Sequence, residues 1–227
     1  MTSRVKRPYD NAARQARSDA TRSRILEVAR ESITTRGYRA TTIAEIARTA
    51  DVHVDTIYEL VGRKPDLLRE LIERAISGTD RALAPSQRGY VQEMGKEPDP
   101  ARKLAIYARA IRDIHDRMAP LLLALGDAAT TDDEAHQVWR EISDRRAQNM
   151  RHLVRDLGPD GTLRAGLSVD EAADVIWATA SAELFVLFTQ QRRWTPRDYE
   201  RWLADTWSRL LLAEGEGTDR DRPTRRR

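Results

Sequence analysis

Apolar positions recur at three- and four-residue intervals along most of this 227-residue chain, and no stretch alternates as a strand would. Ile25, Ala29 and Ile33, flanked by Leu26 and Val28, predict a first helix from about Ser18 to Gly37. Thr42 with Glu45 three residues on has the form of a capping box. Ile43, Ile46 and Ala47 give the helix it opens one apolar stripe. The stripe breaks at Asp51-Val52-His53, where a tight turn fits, since aspartate tolerates left-handed backbone better than most residues. A third helix follows over Val54–Leu60 with Ile57 and Leu60 inward, ended by Gly62. Pro65 starts a fourth, to about Ser77, with Leu68, Leu71, Ile72 and Ala75 inward. Helix, tight turn, helix is the helix-turn-helix arrangement, whose second helix enters the DNA major groove.

The rest of the chain carries helix signals only. Pro85–Pro98 reads as a loop or weak helix. Asp99-Pro100 starts a helix to about His115, and a short apolar helix is expected around Ala119–Leu125. Thr131 with Glu134 predicts a capped long helix ending at Gly158. Ser168 with Glu171 starts one that reaches Gln190, and Thr195-Pro196-x-Asp198 starts the last, to about Leu212. The fold class is therefore all-α. The expected parts are a disordered basic arm over 1–17, a three-helix head over 18–64, a helical domain over 65–213, and a disordered tail over 214–227.

Charge is uneven. Residues 1–24 hold seven Arg or Lys against Asp10 and Asp19, a net +5, so with +3 overall the remainder sums to −2. A basic arm ahead of such a head fits phosphate or minor-groove contact, and equally a solvated tail. The absence of cysteine excludes disulfides and thiolate metal sites. No signal-peptide pattern and no bilayer-length apolar run is present, which predicts a cytoplasmic protein without a membrane partner. No phosphate-cradling loop, nucleophile elbow or metal-spaced cluster occurs, so no enzyme, metal or cofactor is expected.

The start of the third helix nominates His53, Val54, Asp55 and Thr56 for base contact. Thr42, at a helix N-terminus, is placed to cap or to present backbone N–H groups to a phosphate. Asp55 can accept from a cytosine amine, whereas Glu59 either faces phosphates or turns away to pair with Arg63. Farther on, Tyr107, Ile111, His115 and Met118 share one stripe, and Trp139 shares another with Ile142, Arg146 and Met150. Glu183 interrupts the most apolar helix, near Trp177. Buried charges need partners, either a ligand or another side chain. Tyr107, Ile111, His115, Met118, Trp139, Arg146, Trp177 and Glu183 thus outline an aromatic-lined pocket for a small apolar or aromatic effector. The helix from Ser168 is apolar nearly all round and needs cover on both sides, from a second subunit or from its own chain.

The segment from Arg24 to Leu68 resembles the DNA-binding domain of the tetracycline-repressor (TetR) family. RILEVA, Gly37-Tyr38, Thr41-Thr42, Ile46-Ala47, Thr56-Ile57-Tyr58, Gly62-x-Lys64 and Leu67-Leu68 carry the likeness in register. Asp51 stands where that family usually has glycine, His53 where serine usually caps the recognition helix, and Val61 where phenylalanine is usual. The resemblance implies that Tyr58 and Lys64 contact phosphate. It implies that the last two helices form a four-helix dimer bundle, with Leu184, Phe188, Trp202 and Trp207 as interface candidates. It further implies a homodimeric repressor, released from a palindromic double-stranded operator by a small-molecule effector. The competing reading is a helical dimeric interaction protein whose head has weakened or lost DNA binding.

Overall fold

The computed structural model describes residues 9–79, 82–159 and 161–213. It is helical throughout, with a single isolated antiparallel bridge, Leu163 to Leu212, and no strand among the described residues. The helices are α1 Tyr9–Arg36, α2 Ile43–Thr49, α3 Val54–Leu60, α4 Lys64–Ser77, α5 Gly89–Lys96, α6 Pro100–Ala129, α7 Asp133–Arg155, α8 Val169–Thr179, α9 Ala182–Val186 and α10 Pro196–Leu211. Helix α1 begins well before Ser18, so residues 9–17, expected as disordered arm, are helical. Residues 1–8 and the tail 214–227 lie outside the described residues.

The described residues form two compact units: Met1–Arg88 with Asp113–Ser143, and Gly89–Arg112 with Asp144–Arg227. The expected boundary at 64/65 does not separate them. Leu67, Leu68 and Ile72 of α4 are fully buried in the same unit as Ile25, Ala29 and Ile33 of α1, Ile46 of α2 and Ile57 of α3. Ion pairs and hydrogen bonds within that unit tie the head to the start of α7. Arg39 donates to the Thr131 hydroxyl at 2.8 Å, Arg63 pairs with Glu134 at 2.6 Å, and Arg69 with Glu141 at 2.9 Å.

Three local expectations are corrected. Helix α6 runs unbroken through Pro120, rather than as two helices, because its buried stripe of Ile114, Met118, Leu121, Leu122 and Leu125 continues past the proline. The bond Pro120 cannot make frees the carbonyl of Asp116; both residues are exposed, so water can satisfy it. Asp132 rather than Thr131 caps α7, its carboxylate accepting from the Ala135 N–H at 2.9 Å. The apolar run from Ser168 is not one helix. The Ser181 hydroxyl accepts from the Leu184 N–H at 3.2 Å and starts a new helix, α9, bent 43° from α8. A π-helical turn over Leu187–Gln191 follows. The expected loop or weak helix at 85–98 is largely helix α5 after a 3₁₀ turn at Pro85–Gln87. Among the described residues no single helix is long and apolar enough to cross a membrane.

Candidate nucleic-acid interface and effector site

The head is built around its turn. Thr42 caps α2, its hydroxyl accepting from the Glu45 N–H at 3.2 Å while the Glu45 carboxylate accepts from the Thr42 N–H at 3.2 Å. The bond from the Thr42 N–H, then one donated by the Thr42 hydroxyl at 3.0 Å, hold the Glu45 carboxyl below its usual pKa. Asp51 takes φ +53°, the left-handed geometry the turn requires, and the Val52 N–H closes on the Ala47 carbonyl at 3.0 Å. His53 occupies the N-cap position of α3 with extended backbone and no side-chain cap bond, so the family's serine cap has no substitute here. At the far end Gly62 takes φ +105°, and a Cβ there would come within 2.9 Å of the Asp66 carboxylate. That carboxylate accepts from the Arg63 N–H at 3.0 Å to start α4.

This frame buries Ile57 and turns Val54, Asp55, Tyr58 and Glu59 outward, with Thr56 half-buried. Tyr58 is 50% exposed, which removes core packing as its role. Thr42 and His53 are exposed on the same unit. Lys64 is half-buried, with Nζ 4.0 Å from the centroid of the Tyr38 ring. Burial lowers the Lys64 pKa, against the opposing pull of Asp132 and Glu134. Burial, then the same two acids, pushes the Tyr38 hydroxyl up to about 12, so it stays protonated. Arg63 pairs with Glu134 rather than with Glu59, four residues away in sequence. Sequence spacing had no means of finding a partner 71 residues distant. The exposed guanidinium of Arg63 joins Lys64 at the exit of α3, a position the helical phase of α3 does not single out.

The effector candidates divide between the units. His115 and Met118 are buried on α6 in the first unit, and Trp139 of α7 packs its ring 3.5 Å from where a Cβ on Gly126 would stand. Tyr107, Ile111, Arg146 and Trp177 belong to the second. There the Tyr107 ring stacks on Trp207 at 5.7 Å, and its hydroxyl meets Met150 Sδ at 3.4 Å. The Arg146 guanidinium lies 4.7 Å from the Trp177 ring centroid and donates to the Trp177 carbonyl. Burial lowers the Arg146 pKa, while Tyr107, Glu183 and Tyr199 act to raise it. Glu183 is exposed on the first turn of α9, a correction to its expected buried place. A helix start faced outward because Ser181 restarted the helix two residues earlier. A cleft of about 520 Å³ opens between Val154 and Val169 and takes in neither Arg146 nor Trp177.

Residues 25–71 match the model of the bacterial regulatory proteins of the tetR family. The head is thus similar to the DNA-binding domain of that family. No curated protein matches the chain in sequence. Solved structures share the fold over most of the chain. A transcriptional regulator from Saccharomonospora viridis, solved with choline, is 20% identical with a TM-score of 0.62, covering 85% of this chain and 98% of its own. NalD of Pseudomonas aeruginosa, the secondary repressor of a multidrug efflux pump, is 21% identical at 0.68, covering 86% and 98%. FadR of Bacillus subtilis, solved with stearoyl-CoA, is 18% identical at 0.62, covering 81% and 96%.

The chain keeps part of its last helices uncovered. Leu187 and Leu210 are 41% and 46% exposed, and Leu184 is half-buried. Phe188 and Trp202 are also half-buried, but Phe188 stacks within its own chain on Trp194 at 4.4 Å and lies 4.8 Å from Trp202. Trp207 is wholly buried in its own chain, which corrects its expected place on an interface. Its indole N–H donates to the Thr179 hydroxyl at 2.8 Å.

Proposed function

We propose that this chain is a cytoplasmic, homodimeric transcriptional repressor that leaves a palindromic operator when a small effector binds. The observation that carries the reading is the outward face of α3, Val54, Asp55 and Tyr58, held over buried Ile57 by the left-handed turn at Asp51. Such a face can enter a major groove, with Thr56 and Asp55 near base edges and Thr42, Tyr58, Arg63 and Lys64 toward phosphates. Regulators of the same fold solved with choline and with stearoyl-CoA support an effector-binding second domain. A gel shift on DNA upstream of the chain's own gene tests the reading. Binding should weaken linearly in log affinity against log salt. No binding to any such segment at low salt would overturn it in favour of the second reading, an interaction protein without DNA binding. Helix α3 carries Asp55 and Glu59 and no basic residue, and that charge of −2 is what favours the alternative.

Lys64→Ala should weaken binding to all sequences alike and lower the salt slope by about one unit. An unchanged slope would mean that its place over Tyr38 is its whole role. Asp55→Ala and Thr56→Ala should instead change the preferred base, at about 1–3 kcal/mol per lost contact. Binding-site selection that returns one consensus for all three proteins would exclude this docking.

A further inference from the structure

In the second unit, aromatic side chains with polar tips are satisfied by the chain itself. The Tyr199 hydroxyl donates to the Thr179 carbonyl at 2.8 Å, the Trp207 indole to the Thr179 hydroxyl at 2.8 Å, and Tyr107 meets Met150 at 3.4 Å. Two donors depart from this pattern. Arg146 Nε and Trp177 Nε1 are both buried and neither has a hydrogen-bond acceptor. They belong to one stacked pair, guanidinium against indole at 4.7 Å. Arg146 forms no ion pair with any carboxylate of the described residues. Its one hydrogen bond goes to a neutral carbonyl. A guanidinium taken from water without a counter-charge is costly, and so is a buried N–H without an acceptor. Both side chains remain part-exposed, so the two donors lie close beneath the surface.

Resting on the reading of the chain as a ligand-responsive regulator, we propose that Arg146 and Trp177 form the polar end of its effector site, and that the effector is a small aromatic carboxylate. The carboxylate accepts from Arg146 Nε and from Trp177 Nε1, and its ring packs among the aromatic side chains of this unit. The charge count selects the group. One guanidinium and one neutral N–H match a single negative charge, whereas a phosphate dianion leaves one unmatched. A neutral carbonyl would satisfy the indole and leave the guanidinium without its counter-charge.

The test is calorimetric titration of the full chain with benzoate and 2-naphthoate, beside benzyl alcohol and 2-naphthylmethanol as neutral matches. At least one carboxylate should bind about ten- to a hundred-fold more tightly than its alcohol, the range of a charge-assisted hydrogen bond. Arg146→Gln should abolish that gap. Trp177→Phe, which keeps a ring under the guanidinium and removes only the N–H, should narrow it. Absence of carboxylate binding, equal affinity for acid and alcohol, or a gap that survives Arg146→Gln overturns the assignment. The regulator reading is scored separately in the gel shift. Release of the operator by the alcohols alone keeps that reading and removes this site. Tight naphthoate binding without any effect on the operator keeps the site and counts against the regulator.

Discussion

Trp207→Ala should destabilise the second unit by about 3–5 kcal/mol, the range for emptying a large aromatic side chain from a core. Trp207 is fully buried, stacks on Tyr107 at 5.7 Å and donates to Thr179. Its removal leaves a cavity, strips a ring neighbour from Tyr107 and leaves the Thr179 hydroxyl one donor short. Trp207→Phe fills most of the space and loses the hydrogen bond, so it should cost roughly 0.5–1.5 kcal/mol. Trp202→Ala is the control. Trp202 is half-buried at the edge of the cluster with Phe188 and Trp194, and its loss should cost clearly less than that of Trp207. Urea unfolding followed by circular dichroism gives all three values. If Trp207→Ala costs no more than Trp202→Ala, Trp207 is not the centre of this core.

What could be read from the sequence was whatever a few neighbouring residues decide. Thr42 with Glu45, Ser168 with Glu171 and Thr195 with Asp198 all form reciprocal caps, because a cap needs only two side chains three residues apart. The turn was legible for the same reason: one residue, Asp51, had to take left-handed backbone. At Thr131 two capping residues stood side by side, and local spacing could not show that Asp132 would take α7 while Thr131 accepts from Arg39. The stretch between His115 and Ala119 read as a break, yet the buried stripe continues through it and past Pro120, where it outweighs one missing hydrogen bond. Helical phase placed Trp207 and Glu183 on faces without saying what those faces meet. Trp207 meets its own chain and Glu183 meets solvent. The partners of Arg63 and Arg69, Glu134 and Glu141, lie more than seventy residues away, and only folding brings them near.

The largest functional loss is expected from placing a charge on the uncovered apolar surface of the last helices. Leu187→Glu and Leu210→Glu alter side chains that are 41% and 46% exposed in the single chain. On an isolated subunit each change should cost within about 0.5 kcal/mol, because water still reaches the new carboxylate. In the proposed dimer the same carboxylate is buried without a partner, at a cost of several kcal/mol. The two situations separate folding from association: an unchanged thermal midpoint at low protein concentration, with monomer in sedimentation, is the expected pair of results. Phe188→Asp would confuse them, since Phe188 already stacks on Trp194 within its own chain. The operator magnifies the effect. Once one head is bound, the second half-site is met at an effective concentration set by the subunit link, so losing the link should weaken a two-half-site operator by roughly 10²–10⁴-fold. Affinity for an isolated half-site should not change. The effector acts through the same link. If it binds the form with misspaced heads more tightly, it lowers operator affinity with a coupling of roughly 1–3 kcal/mol, and the operator lowers effector affinity by the same factor. That coupling should vanish in the monomeric variants, which would bind effector equally well with and without DNA. A monomer that holds the two-half-site operator at full affinity would end this account, because the switch works only through the distance between two heads.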